Sequence, residues 1–167
     1  MNDPRAAYAD FVRGSSTRLL RTAFLLVGDR SAAEDLLQDV LERVYVAWPR
    51  VEDPVAYAHR SLVRAAQNRW RTRVRRPEEP WGERDVAVHD PDLAQRDALL
   101  RALATLPRGQ RAVVVLRFLE DLSTEQTARV LDCSIGTVKS QTSRALPKLR
   151  ALLDPTTLAT ADENGTC

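Results

Sequence analysis

The sequence predicts an all-α protein of two small helical domains, a bundle and a helix-turn-helix, joined by a flexible acidic linker. Three observations carry that expectation. Apolar residues recur at helical spacing along most of the chain. A proline-rich acidic stretch over 77–91 interrupts the pattern. Between 123 and 146, two cap signals flank a tight turn. The length of 167 residues suits two small modules and excludes a large multidomain enzyme, and 44% apolar with 29% charged residues is the balance of a chain that folds in water.

The first helix is read over 8–27, with Tyr8, Phe11, Val12, Leu19, Ala23, Leu26 and Val27 on one face and Gly28 at the C-cap. Ser31 and Glu34 have capping-box spacing and are expected to open the second helix. Its stripe is Ala33, Leu36, Leu37, Val40, Val44 and Ala47, and Pro49 stops it near Trp48. Asp53-Pro54 reads as N-cap and first helical residue of a third helix, with Val55, Leu62, Val63, Ala66 and Trp70 as its apolar side. Helix resumes at Pro91-Asp92, carrying Leu93, Ala94, Ala98, Leu99, Ala102 and Leu103, and Pro107 ends it. The run AVVVLRFL at 112–119 has a strand's composition but no partner strand, so helix is expected there too. The expected partition is 1–76 for the first domain, 77–91 for the linker, 92–153 for the second domain and 154–167 for a frayed tail.

No apolar run approaches the roughly 18 residues of a membrane span, and the first residues lack a signal-peptide layout, so a cytoplasmic protein without membrane insertion is expected. Two cysteines and two histidines are too few for a disulfide framework or a four-ligand zinc site, and neither a metal nor another cofactor is expected.

The net charge of +2 hides strong segregation. Between His59 and Arg76 lie seven arginines and no acid, whereas 78–92 holds six acids against Arg84 alone. Interleaved with Tyr57, His59, Asn68 and Trp70, the arginines suit phosphate neutralisation and the stacking of unpaired bases. Ser123 with Gln126, the turn at Asp132-Cys133, and the cap Ser134 outline a helix-turn-helix. Its inner residues are read as Ala128, Val130, Leu131, Ile135, Val138 and Leu146, leaving Lys139, Ser140, Gln141, Ser143 and Arg144 outward, with Gln141 and Arg144 near mid-face. These side-chain types bond base edges and phosphates in a major groove. The carboxylates exposed on the second helix are open to three readings: a solvated face, a docking surface for a basic helix, or a magnesium site of a nuclease. No lysine or histidine nucleophile, paired base or phosphate loop accompanies them, so no catalytic residue is assigned.

The segments AEDLLQDVLERVYVAW, PVAYAHRSLVRAAQNRWRTRVRR and LPRGQRAVVVLRFLEDLSTEQTARVLDCSIGTVKSQTSRALPKLR resemble regions 2 and 4 of bacterial sigma-70 family sigma factors, extracytoplasmic-function group, of the SigE-like actinobacterial type. The resemblance spans about 8–153 and implies a non-catalytic initiation subunit whose partners are core RNA polymerase, through its β′ and β subunits, and promoter DNA, with an anti-sigma factor as a further candidate. It implies that Asp35, Gln38, Asp39 and Glu42 dock on a β′ coiled coil. The loop from Arg50 to Val55, with Arg60, Arg64, Gln67, Asn68 and Arg71, would open and read the −10 element, and Lys139, Ser140, Gln141, Ser143 and Arg144 would read −35. The paired aromatics with which primary sigma factors wedge open DNA are not evident. Pro147 falls inside the final helix, where a kink after Leu146 is expected. A free-standing helix-turn-helix regulator is the alternative.

Overall fold

The computed structural model describes residues 4–74 and 91–153. The described elements are α1 (Pro4–Val27), α2 (Arg30–Ala47), a 3-10 turn (Trp48–Arg50), α3 (Pro54–Val74), α4 (Pro91–Thr105), α5 (Arg108–Val114) running into a π-helical turn (Val115–Leu119), α6 (Thr124–Leu131) and α7 (Ile135–Leu152). They fall into two compact units, α1–α3 and α4–α7. The expected linker, most of it at 77–90, and the expected tail, 154–167, lie outside the described residues.

In the first unit each of the three helices packs on the other two. Leu19, Ala23 and Leu26 of α1 are buried with Val40 and Val44 of α2 and Ala58, Leu62 and Ala66 of α3. Gly28 closes α1 with a left-handed φ of 75°, and its N–H donates to the Phe24 carbonyl at 2.7 Å. That geometry is nearly free for glycine alone, and it turns the chain within one residue.

The next helix therefore starts earlier than the sequence suggested. Asp29, not Ser31, is the N-cap of α2, its carboxylate accepting from the Ala32 N–H at 2.7 Å. Ser31 already lies within the helix, and Glu34 pairs with Arg30 at 2.9 Å instead of reaching back to Ser31. Four aromatic rings fasten α1 to the end of α2. Tyr8 meets Tyr45 and Trp48 edge-on at centroid distances of 5.0 and 5.3 Å, Phe11 lies 5.4 Å from Trp48, and the Tyr8 hydroxyl donates to the Leu41 carbonyl at 2.9 Å. Asp53 caps α3 as expected, accepting from the Ala56 N–H at 2.9 Å.

In the second unit α7 packs on α4, α5 and α6. Val113, Ala128 and Val138 form the buried contact of the helix-turn-helix, with Leu131 and Cys133 packed against them. Burial, with the Asp132 carboxylate adding to it, pushes the Cys133 thiol above its ordinary pKa. The 112–119 run is helical, but its second half is wound as a π turn, in which the Glu120 N–H reaches the Val115 carbonyl at 2.9 Å. Asp121 then takes a left-handed φ of 55°, and Arg117 donates to the Leu122 carbonyl at 2.6 Å.

Ser123 and Gln126 form both bonds of the capping box, at 3.1 and 2.7 Å. Asp132, at φ 54° and ψ 51°, ends α6, and Ser134 caps α7 through the Thr137 N–H at 3.0 Å. Pro147 does not end α7, which continues as helix to Leu152. The intrahelical bond that proline cannot donate is the one to the Ser143 carbonyl, and both residues are exposed, so that carbonyl is open to solvent.

Candidate nucleic-acid and partner interfaces

The outer face of α7 follows from what its inner face buries. Val138, Ala145 and Leu149 are fully covered, whereas Ile135 is exposed and Leu146 only half-buried, so the inner stripe is displaced from the one the sequence suggested. Helical geometry then centres the outer face on Gly136, Ser140 and Ser143, with Lys139 on one flank and Arg144 on the other, all exposed. Gln141 falls at the edge of this face and not at its middle. It is half-buried, with its amide carbon 3.9 Å from where a Cβ on Gly109 of α5 would sit. Ser140 donates to the Thr137 carbonyl at 3.0 Å, which leaves its oxygen free to accept further bonds.

Glu125 at the start of α6 is an acid beside this basic face that the pattern did not single out. Its carboxyl is held below the usual range first by the backbone N–H of its own residue, then by the Ser123 hydroxyl, with the cations of Lys139 and Arg117 adding to the effect.

Much of the motif around 107–111 is scaffold. The Arg111 guanidinium is buried and donates to the carbonyls of Leu103 at 2.8 Å, Ala104 at 3.0 Å and Leu106 at 3.5 Å, closing the C-terminal end of α4. Burial, helped by neighbouring Arg108, lowers its pKa to about 10, so it stays charged at neutral pH. Gln110, also buried, accepts from the Lys148 ammonium at 3.3 Å and ties α5 to α7.

On α3, Arg60, Arg64, Gln67, Asn68 and Arg71 share one face by helical spacing. Arg64, Asn68 and Arg71 are exposed, and Arg60 and Gln67 are half-buried. His59, expected among the base-stacking groups, is instead buried in the bundle at 1% exposure, and Trp70, which the spacing also placed on the apolar side of α3, is buried at 7%. Both fall on the inner side of the helix. Tyr57 remains half-buried at the start of α3. The side chains of Arg73, Arg75 and Arg76 lie outside the described residues.

On α2, Asp35, Gln38, Asp39 and Glu42 are all exposed, and the three acids lie along one stripe that Val46 continues at 78% exposure. Beside the lower half of this stripe an open groove of about 440 Å³ is lined by Asp39, Glu42, Arg43, Val46, Ala47 and Tyr57. Tyr45 and Val55, both more than 40% exposed, lie near it in sequence on α2 and α3. Val46 adjoins Ala47, which the pattern assigned to the inner stripe, but its spacing from Asp35 and Asp39 is the signal that places it with the acids. Among the described residues no group of three or more potential ligands could hold a metal ion, and no described helix is long and apolar enough to cross a membrane.

Two family models match the chain: Sigma-70 region 2 over residues 11–76 and Sigma-70, region 4 over 96–149. The chain is 40% identical over 148 residues to the RNA polymerase sigma-E factor of Streptomyces coelicolor, covering 86% of this chain and 84% of that one. It is 33% identical over 153 residues to the ECF RNA polymerase sigma factor SigM of Mycobacterium tuberculosis, covering 89% and 78%. Of solved structures, the sigma factor RpoE of Bartonella quintana, in complex with the anti-sigma factor NepR, matches with a TM-score of 0.74 at 27% identity over 87% of this chain and 96% of that one. CnrH, in complex with the cytosolic domain of CnrY, shares the fold with a TM-score of 0.68 at 21% identity, covering 90% and 89%.

Proposed function

The chain belongs to the sigma-70 family of RNA polymerase sigma factors, in its extracytoplasmic-function group, and from that premise we propose how its surfaces divide the work of promoter-specific initiation. Asp35, Gln38, Asp39 and Glu42 of α2 dock core polymerase on the β′ coiled coil, with Val46 supplying apolar contact at the end of the stripe. Arg60, Arg64, Gln67, Asn68 and Arg71 of α3 hold and read the opened −10 strand. Lys139, Ser140, Ser143 and Arg144 of α7 enter the major groove at −35, and Gln141 reaches it from the rim.

The protein acts in the cytoplasm as residues 1–76 and 92–153 joined by the acidic segment 77–91, with 154–167 as a tail. It contributes no catalytic residue and no cofactor, since phosphodiester chemistry stays with the polymerase. An anti-sigma factor is the partner that would hold it out of transcription, as the complex of RpoE with NepR suggests by likeness.

The observation that carries this reading is the presence of two basic helix faces, on α3 and α7, in two separately closed units of one chain. A free-standing repressor needs only the second, usually duplicated in a symmetric dimer. Like charges brought together at an interface cost several kcal/mol. Asp39→Arg with Glu42→Arg, both exposed, should therefore abolish co-purification with core polymerase while leaving the circular-dichroism spectrum unchanged. Undiminished co-purification would remove the docking assignment. Promoter binding in a gel shift without core polymerase would favour the free-standing regulator, and cleavage in its magnesium control would favour a nuclease.

A further inference from the structure

Arg69 does not share the outer face of α3 that Arg60, Arg64 and Arg71 occupy. It lies on the opposite side of the helix, and its guanidinium stands 3.9 Å from the carboxylate of Asp35 on α2, with both side chains substantially exposed at 43% and 65%. Asp35 heads the acidic stripe that continues through Asp39 and Glu42. One cation of the basic block is therefore spent on the acidic face. We propose that Arg69 belongs to the polymerase-docking surface, where it acts as a built-in counter-charge: it occupies Asp35 in the free protein and gives that carboxylate up to a cation of the docking partner. The inference rests on the docking role assigned to α2 and goes beyond it.

The physical argument is one of competition. A basic partner approaching the stripe meets a carboxylate that already has a cation beside it, and that guanidinium carries the partner's own sign. Both effects lower the attraction that steers the encounter, and rim charges of this kind act mainly on the association rate. The pair is exposed and imperfect in distance, so it is cheap to exchange, which a contact broken at every docking event requires. A structural pair would be expected to be buried and bidentate, and this one is neither.

The test is the association of the full chain with core RNA polymerase, followed by fluorescence anisotropy at low and high salt, for the wild type, Arg69→Gln, Arg69→Lys, Asp35→Asn and the double variant Asp35→Asn with Arg69→Gln. Arg69→Gln should bind about two- to fivefold tighter at low salt, the range to which the worth of an exposed pair converts. The gain should lie in the association rate and fade at 1 M salt, where screening shortens to about 3 Å. Arg69→Lys should behave as the wild type. In the Asp35→Asn background, which itself binds more weakly, Arg69→Gln should add less than it does with Asp35 present, because only the like-charge repulsion is then relieved. Unchanged or weaker binding by a folded Arg69→Gln, or an equal gain with Asp35 removed, would overturn the proposal. Wild-type protein that fails to bind core polymerase at all would instead remove the docking role, and this inference with it.

Discussion

Truncating Arg111 to alanine would strip the donors from three carbonyls at the end of α4 and open a space among buried residues. A buried charge-assisted network broken from one side costs about 3 kcal/mol or more, so Arg111→Ala should lower the free energy of unfolding by that order in urea titration. Arg111→Lys should recover only part of it, because an ammonium on a flexible stem cannot fork between carbonyls as a guanidinium does. The linkage has a definite sign. With its pKa lowered to about 10 in the folded protein, Arg111 carries a cost of burial that is present at neutral pH and relieved only as pH rises from about 10 toward its ordinary value. It contributes nothing to acid unfolding. A strongly patterned arginine next to a helix-turn-helix invites assignment to DNA, and the carbonyls around it show why that would be mistaken. Gln141 is the converse case, a residue read as central to the groove-facing surface that the packing of α7 on α5 moves to the rim.

Gly14 lies inside α1 on its exposed side, and a Cβ added there would meet nothing within 4 Å. Its φ is not in the left-handed range, so neither space nor backbone geometry calls for glycine. Gly14→Ala should therefore raise stability by about 0.5–1 kcal/mol, read as an upward shift of the thermal midpoint, with core-polymerase binding unchanged. The helices themselves were legible in the sequence, since the caps at Asp53, Ser123 and Ser134 and the left-handed closure at Gly28 are decided by neighbours a few residues away. What periodicity could not decide was the competition between adjacent caps. Asp29 and Ser31 both carry the right chemistry, and Asp29 prevails because Gly28 completes the turn immediately before it. Nor could it show the π turn at Val115–Leu119, where an uninterrupted apolar run gives no sign of the extra residue in the hydrogen-bonded ring. The positions of Ile135 and His59 depend on helix phase against distant partners, and local spacing fixes that phase only to within about a residue.

The assigned division of labour predicts that losing charge from α3 separates two stages of initiation. Arg60→Ala with Arg64→Ala should weaken open-complex formation more than closed-complex binding, because unstacking bases costs a few kcal/mol that contacts selective for the single strand must offset. Permanganate reactivity of the −10 thymines on a mapped promoter should fall in the double variant while retention on the closed promoter is largely kept. Equal reactivity would place strand capture elsewhere. The acidic stripe of α2 and the basic face of α3 rest on one small core, whereas α7 is seated by Gln110 and Val138 in the other. The two cores fall in different compact units of the chain. For descent with modification this matters more than for any single act of transcription. A lineage can repack the seat of α7, and so drift toward a new upstream element, without first passing through a form that has lost its hold on the polymerase.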